Sequence, residues 1–145
     1  MWAATSPSAR GETFNLTNGE VFSWRDMWPA LAQTLGVDVG PDQPLSMATY
    51  LGERTGLWRE VIREHDLQPI DLPALLGESH HYADLCFNYG GTASPAPAFV
   101  STVKIRQAGF NEVCNTEQSF CHWLMDLQER RVLPRSGTAS PGRES

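Results

Sequence analysis

Only one stretch of this chain clearly alternates as a β-strand does, and the rest of the sequence offers it no evident partner. In residues 12–19 (ETFNLTNG), Phe14 and Leu16 fall on one face and Thr13 and Asn15 on the other, before Asn18-Gly19 signals a turn. A lone strand cannot satisfy its own N–H and C=O groups, so this one calls for a sheet from elsewhere. Everything downstream reads as helix and loop. The expected architecture is therefore mostly α with one or two short strands.

The helical segments are delimited by caps and glycines. Ser23, with Asp26 three residues later, can cap a helix whose face is Trp24, Trp28, Leu31 and Leu35 and which Gly36 ends. Pro29 either kinks its first turn or sits in the opening turn of a helix that starts near Trp28. After Ser46, residues Met47, Tyr50, Leu51, Leu57, Trp58, Val61 and Ile62 share a face, and Gly52 and Gly56 divide the region into two shorter helices. Asp71 can cap a single turn ending at Gly77. Ser79 is expected to cap a helix with Tyr82, Leu85, Cys86 and Tyr89 on one face. Residues 91–98 (GTASPAPA) read as a loop. Ser101 is expected to start a short helix that stops at Gly109. Asn115 with Gln118, or Thr116 with Ser119, then caps a last helix bearing Phe120, Trp123, Leu124 and Leu127, which stops before Pro134. Residues 1–10 and 135–145 are small, polar and aperiodic, so we expect a loose N-terminal segment, a body at 11–134 and a disordered tail.

Composition excludes several classes. The 145 residues are 41% hydrophobic and 19% charged, with five Trp, six Phe and three Tyr, which is a globular composition. The net charge of −6 comes without a basic stripe, which argues against nucleic acid as a partner. Cys86, Cys114 and Cys121 form no CxxC pair, and their odd number suits a reducing compartment. The first residues hold no apolar signal core and no apolar run is long enough to span a bilayer, so a cytoplasmic location without membrane contact is expected. The Asn15-Leu16-Thr17 triplet would matter for glycosylation only in a secreted chain.

Familiar catalytic and cofactor motifs are missing. His80 and His81 are adjacent, and on a helix they point about 100° apart. His65 and His122 have no ligand at a usual spacing, so no metal site is expected. The twelve glycines form neither GxGxxG nor GxxxxGK, and hence no loop that would seat a pyrophosphate on a helix N-terminus. There is no GxSxG. Ser101 and Lys104 form S-x-x-K, which reads more simply as a helix-start serine and a lysine one turn on. Lys104 is the only lysine, and Val100 stands where a Tyr-x-x-x-Lys pair would need its tyrosine.

Two motifs nevertheless carry a resemblance. Phe14, Asn15, Asn18, Gly19, Phe22 and Trp24, with Glu20 in place of the usual aspartate, resemble the F-N-x-x-N-G-D-x-F-x-W run of atypical extended short-chain dehydrogenases/reductases. This is the NAD-dependent epimerase/dehydratase-like group that includes progesterone 5β-reductase and iridoid synthase. Ser101, Lys104, Arg106, Gly109 and Phe110 resemble the group's later S-x-x-K-x-R/K-x-x-G-F element. A helix with Ser119, Phe120 and Trp123 follows, and a Val-Leu-Pro ends the match, which runs from about Glu12 to Pro134.

The resemblance implies the C-terminal, substrate-side part of an α/β Rossmann-type extended reductase that uses NADPH or NADH on a small lipophilic enone or carbonyl. The group's glycine-rich loop and catalytic Tyr and Lys lie upstream of everything matched here. No catalytic or cofactor-binding residue is therefore carried over, and a missing N-terminal Rossmann half becomes the expected partner. The resemblance places Val113 where these reductases put a substrate-facing aromatic. Asn18, Gly19 and Ser119 are further pocket candidates. Each has a plainer role available: packing for Val113, turn chemistry for Asn18-Gly19 and the cap region for Ser119. A self-sufficient, non-catalytic helical binding or interaction module is the alternative reading. Folding alone would distinguish it from an orphaned lobe.

Overall fold

The computed structural model describes residues 1–92 and 98–135. Among these residues are eight α-helices and one short 3-10 turn, and no strand. The mostly helical expectation holds. The expected strand does not form: residues 12–22 run without regular secondary structure, because the described residues give them no neighbouring strand to bond to.

Helix α1 (Trp2–Thr5) and the 3-10 turn Pro7–Ala9 occupy the segment that composition marks as loose. Trp2 explains their order: its ring lies 5.7 Å from that of Phe14 and 5.3 Å from that of Phe110. Helix α2 (Trp24–Leu35) begins as expected, with Ser23 accepting from the Asp26 N–H, and it continues through Pro29 to Gly36. Its buried residues are Met27, Leu31 and Ala32, and Trp28 is half exposed. The face expected from Trp24, Trp28, Leu31 and Leu35 is thus rotated, which leaves the tryptophans at the edge of the core.

The region after Ser46 divides as the glycines require, into α3 (Met47–Gly52) and α4 (Thr55–Glu64). Trp58 on α4 donates its indole N–H to the Ile70 carbonyl at 2.8 Å. Helix α5 (Leu72–Leu76) follows Asp71, whose side chain makes no cap bond. Helix α6 (Ser79–Cys86) is preceded by Glu78 at the cap position, so Ser79 is its first residue and not its cap. The Tyr82, Leu85 and Tyr89 face, read from periodicity as the packed one, points outward. Asp84 sets that rotation. Its carboxylate accepts from the Ser46 hydroxyl at 2.7 Å and from the Met47 and Ala48 N–H groups at 2.6 and 3.3 Å, turning the polar edge of α6 onto α3.

Helix α7 (Val103–Gln107) starts two residues after Ser101, whose hydroxyl accepts from the Val103 N–H at 3.5 Å. Helix α8 (Thr116–Glu129) is capped by Asn115, which accepts from Gln118 at 2.7 Å. Helices α2 and α8 pack together, as do α3 and α6. Trp24 joins the first pair to Phe22, Phe87 and Phe120 through ring contacts of 5.5–5.6 Å. At the far end, Gln68 bonds through its backbone to the Arg131 carbonyl and through its side chain to that of Arg130, both at 2.8 Å. Most of the loop expected at 91–98, and the tail after Arg135, lie outside the described residues.

The core is thin. No described side chain is less than 2% exposed, and Tyr82, Leu85, Phe87, Phe99, Val100 and Trp123 all face outward.

Candidate functional site

The two motifs of the sequence press against each other. Lys104 on α7 makes a 2.7 Å ion pair with Glu12, donates to the Thr13 carbonyl at 3.0 Å and lies 5.2 Å from the Phe14 ring centre. The pairing holds the Glu12 carboxyl below the usual carboxylate range. Asn15 donates to the Ser101 carbonyl at 3.2 Å. The Cys114 N–H donates to the Asn18 carbonyl at 2.9 Å, and the Asn18 side-chain amide donates to the Thr116 hydroxyl at 3.0 Å. Glu20 accepts from the Thr116 backbone N–H, and this bond, with a second from the Thr116 hydroxyl, holds its carboxyl below the usual range.

Gly19 has a φ of +99°, in the region where a side chain is strained, and a β-carbon there would stand 2.9 Å from a Val113 methyl. Glycine at this turn therefore serves both conformation and close packing. Beside it lies a groove of about 350 Å³ between Thr17, Gly19, Glu20 and Phe22 on one side and Phe99, Val100 and Thr102 on the other. Of the four pocket candidates, Gly19 lines this groove. Asn18 turns its side chain to Thr116, and Val113 abuts Gly19 while remaining 67% exposed. Ser119 is part-exposed on α8, one turn beyond Thr116, and does not line the groove.

Sequence reasoning missed Phe99, Val100 and Thr102 as groove residues and the joint role of Glu20 and Thr116. Their contacts span about a hundred positions, and only the proximity of the two motifs could have suggested them. A second cleft of about 330 Å³ is lined by Trp24, Trp28, Val39 and Phe87, with the Arg25–Asp42 ion pair of 3.2 Å at its rim.

The sequence carries no GxGxxG turn of the kind that seats a dinucleotide pyrophosphate on a helix N-terminus. At three helix N-termini, where a phosphate could be attracted, the chain's own acceptors stand instead, whereas those of α4 and α6 have no side-chain cap. Ser23 occupies the N-terminus of α2, Asp84 that of α3, and Asn115 with Glu20 that of α8. The described residues hold no group of three His, Cys, Asp or Glu placed to take a metal, and the His80 and His81 rings lie 4.2 Å apart against each other. No helix among them is long and apolar enough to cross a membrane.

No protein-family model matches the chain. Individual proteins do. An (S)-8-oxocitronellyl enol synthase of Antirrhinum majus is 28% identical over 137 residues, which is 92% of this chain and 33% of that protein. The chain is a relative of such enzymes. A second (S)-8-oxocitronellyl enol synthase, from Catharanthus roseus, is 27% identical over 139 residues, again 92% of the chain. A 3-oxo-Delta(4,5)-steroid 5-beta-reductase of Arabidopsis thaliana is 25% identical over 138 residues, which is 92% of this chain and 33% of that protein. The resemblance read from the two motifs thus extends over nearly the whole chain. The chain spans about a third of the length of these curated relatives.

Proposed function

We propose that this chain is the substrate-side portion of an NAD(P)H-dependent enone or carbonyl reductase, with the nucleotide-binding portion supplied by polypeptide outside it. On this reading it has no activity alone. The outward apolar surface of α6 and of residues 98–103 carries the proposal. Tyr82, Leu85, Phe99 and Val100 are at least half exposed, an arrangement suited to being covered by another body. The unpaired segment 12–22 supports the same reading, since its alternating side chains suit the edge of a sheet that the described residues do not contain.

The groove beside Gly19 is then one wall of the substrate pocket. Phe22, Phe99 and Val100 supply apolar surface for a small lipophilic substrate, and Val113, next to Gly19, bounds the pocket beyond the turn. Asn18 holds the turn in place, and Ser119 is a more distant wall residue on α8. Hydride donation, proton donation and nucleotide binding belong to the missing portion. The chain's own part is to bind and orient the substrate and to exclude water.

Thermal unfolding followed by near-UV circular dichroism tests this. The samples are the chain alone, the chain with NADPH, and the chain mixed with the upstream two-thirds of the Antirrhinum majus relative. The proposal expects a broad transition alone, no NADPH effect alone, and a sharp transition with NADPH-dependent enone reduction only in the mixture. A sharp transition of the chain alone would instead identify a self-sufficient binding module. An NADPH-induced shift of the chain alone would contradict a missing cofactor site.

A further inference from the structure

We propose that Asn18, Thr116 and Glu20 form a latch that locks the Asn18-Gly19 turn to the start of α8, closed at neutral pH and released by acid, and that its state sets the shape of the groove beside Gly19. The latch itself does not depend on the function proposed above. It stands on three features of the geometry.

The first is that the latch has little backbone support. Among the described residues, the bond from Cys114 to the Asn18 carbonyl is the backbone bond that ties residues 13–22 to the later chain. Side chains do the rest, and at the turn those side chains are Asn18 and Glu20. The second is that both converge on one residue, Thr116, which is only 4% exposed. Its hydroxyl accepts from Asn18 and its backbone N–H donates to Glu20. A buried polar group of this kind is costly to leave unpaired, so the two contacts stand or fall together. The third is that Glu20 bonds the first N–H of a 14-residue helix, where a negative charge gains from both the charge-assisted bond and the helix dipole. A proton on Glu20 removes that charge.

Several charged and titratable groups on the neighbouring elements surround the latch, and two of them, Arg106 and Glu117, stand close to it. Lys104 of α7 is held by Glu12, and Arg106 bonds the Thr102 hydroxyl at 3.4 Å while its guanidinium approaches Gly19. On α2, Arg25 pairs with Asp42 and Asp26 with Ser23. Glu112 and Cys114 lie in the loop before α8, and Glu117 and His122 on α8 itself. Glu117, in the same first turn as Thr116, is the second carboxylate at that helix end.

The direction of the pH dependence follows from the bonding. Glu20 is held below its ordinary value, first by the Thr116 backbone bond and then by its hydroxyl. The latch is therefore complete above the ordinary glutamate value of about 4.3 and opens as pH falls through the lower folded value. Release frees the turn, lets Val113 move away from Gly19, and loosens the side of the groove formed by Thr17, Gly19 and Phe22.

The test is an NMR pH titration and amide exchange of the full chain, comparing wild type with Glu20→Gln, Thr116→Val and Glu20→Asp. The wild-type Thr116 amide is expected to titrate with one midpoint below the ordinary glutamate value. Its exchange, corrected for the intrinsic pH dependence, should rise at least tenfold in acid, together with that of Cys114. In Glu20→Gln the Thr116 titration should vanish and both amides should exchange at neutral pH at the corrected rate that wild type reaches only in acid. Glu20→Asp should restore part of the protection. The proposal is overturned by a Thr116 titration that survives in Glu20→Gln, or by Thr116 and Cys114 amides equally protected in acid and at neutral pH. Where Glu20→Gln fails to fold, Glu20→Asp decides the matter, since a Thr116 midpoint left unmoved by that change reports another carboxylate and also overturns the proposal.

Discussion

Replacing Gly19 with alanine imposes two costs at one turn. The backbone there has a φ of +99°, and an L-residue in left-handed space costs roughly 1–2 kcal/mol. The new methyl would also meet a Val113 methyl at 2.9 Å and its β-carbon at 3.4 Å. Overpacking in a closed core costs about 1–3 kcal/mol, and the low end applies here because the exposed Val113 can turn about χ1. The sum is roughly 2–3 kcal/mol, which is about 30- to 150-fold in the local opening equilibrium. The reporter is exchange of the Cys114 amide, which bonds the Asn18 carbonyl across this turn. Gly19→Ala should speed it by that factor. Gly11→Ala, also at positive φ but with open space around it, should leave Cys114 exchange unchanged. Adding Val113→Ala to Gly19→Ala should recover about 1 kcal/mol, or roughly fivefold, after correction for Val113→Ala alone. Unchanged exchange in Gly19→Ala would refute the conformational argument, and no recovery in the double variant would refute the steric one.

Three other substitutions probe the helical frame. Asp84→Asn should lower the far-UV melting midpoint at pH 7 and make no difference in strong acid. The Asp84 carboxyl is held below its usual range, chiefly by the Ser46 hydroxyl and further by the Met47 and Ala48 N–H groups, against the opposing effect of burial. Its contribution is thus present above the ordinary aspartate value of about 3.9 and lost as pH falls through the lower folded value; equal melting of the two proteins at pH 7 would remove the argument. Trp58→Phe leaves the part-buried Ile70 carbonyl without the indole N–H and should destabilise by about 1–2 kcal/mol in urea curves of the helical signal. Pro29→Ala should move the same curves the other way by about 1–3 kcal/mol, since an interior proline deprives α2 of a backbone bond.

What the sequence determined by itself was local. Ser23 and Asn115 announced their helices because a cap bond spans three residues, and Gly52 divided α3 from α4 because a helix interior tolerates glycine poorly. The two motifs also identified the relatives, since order and spacing survive in sequence even at 25–28% identity. Tertiary structure decided which faces are buried. The apolar stripe of α6 points outward because Asp84 grips the start of α3 from 36–38 residues away, and Trp28 stands at the edge because Met27 takes the core. The segment 12–22 forms no strand because alternation specifies only a potential for pairing, and pairing needs a neighbour that the described residues do not provide. Nor could the sequence show that Glu20 meets Thr116 across 96 positions. A cap bond is encoded in adjacent letters, whereas a latch between distant segments exists only once packing has brought them together.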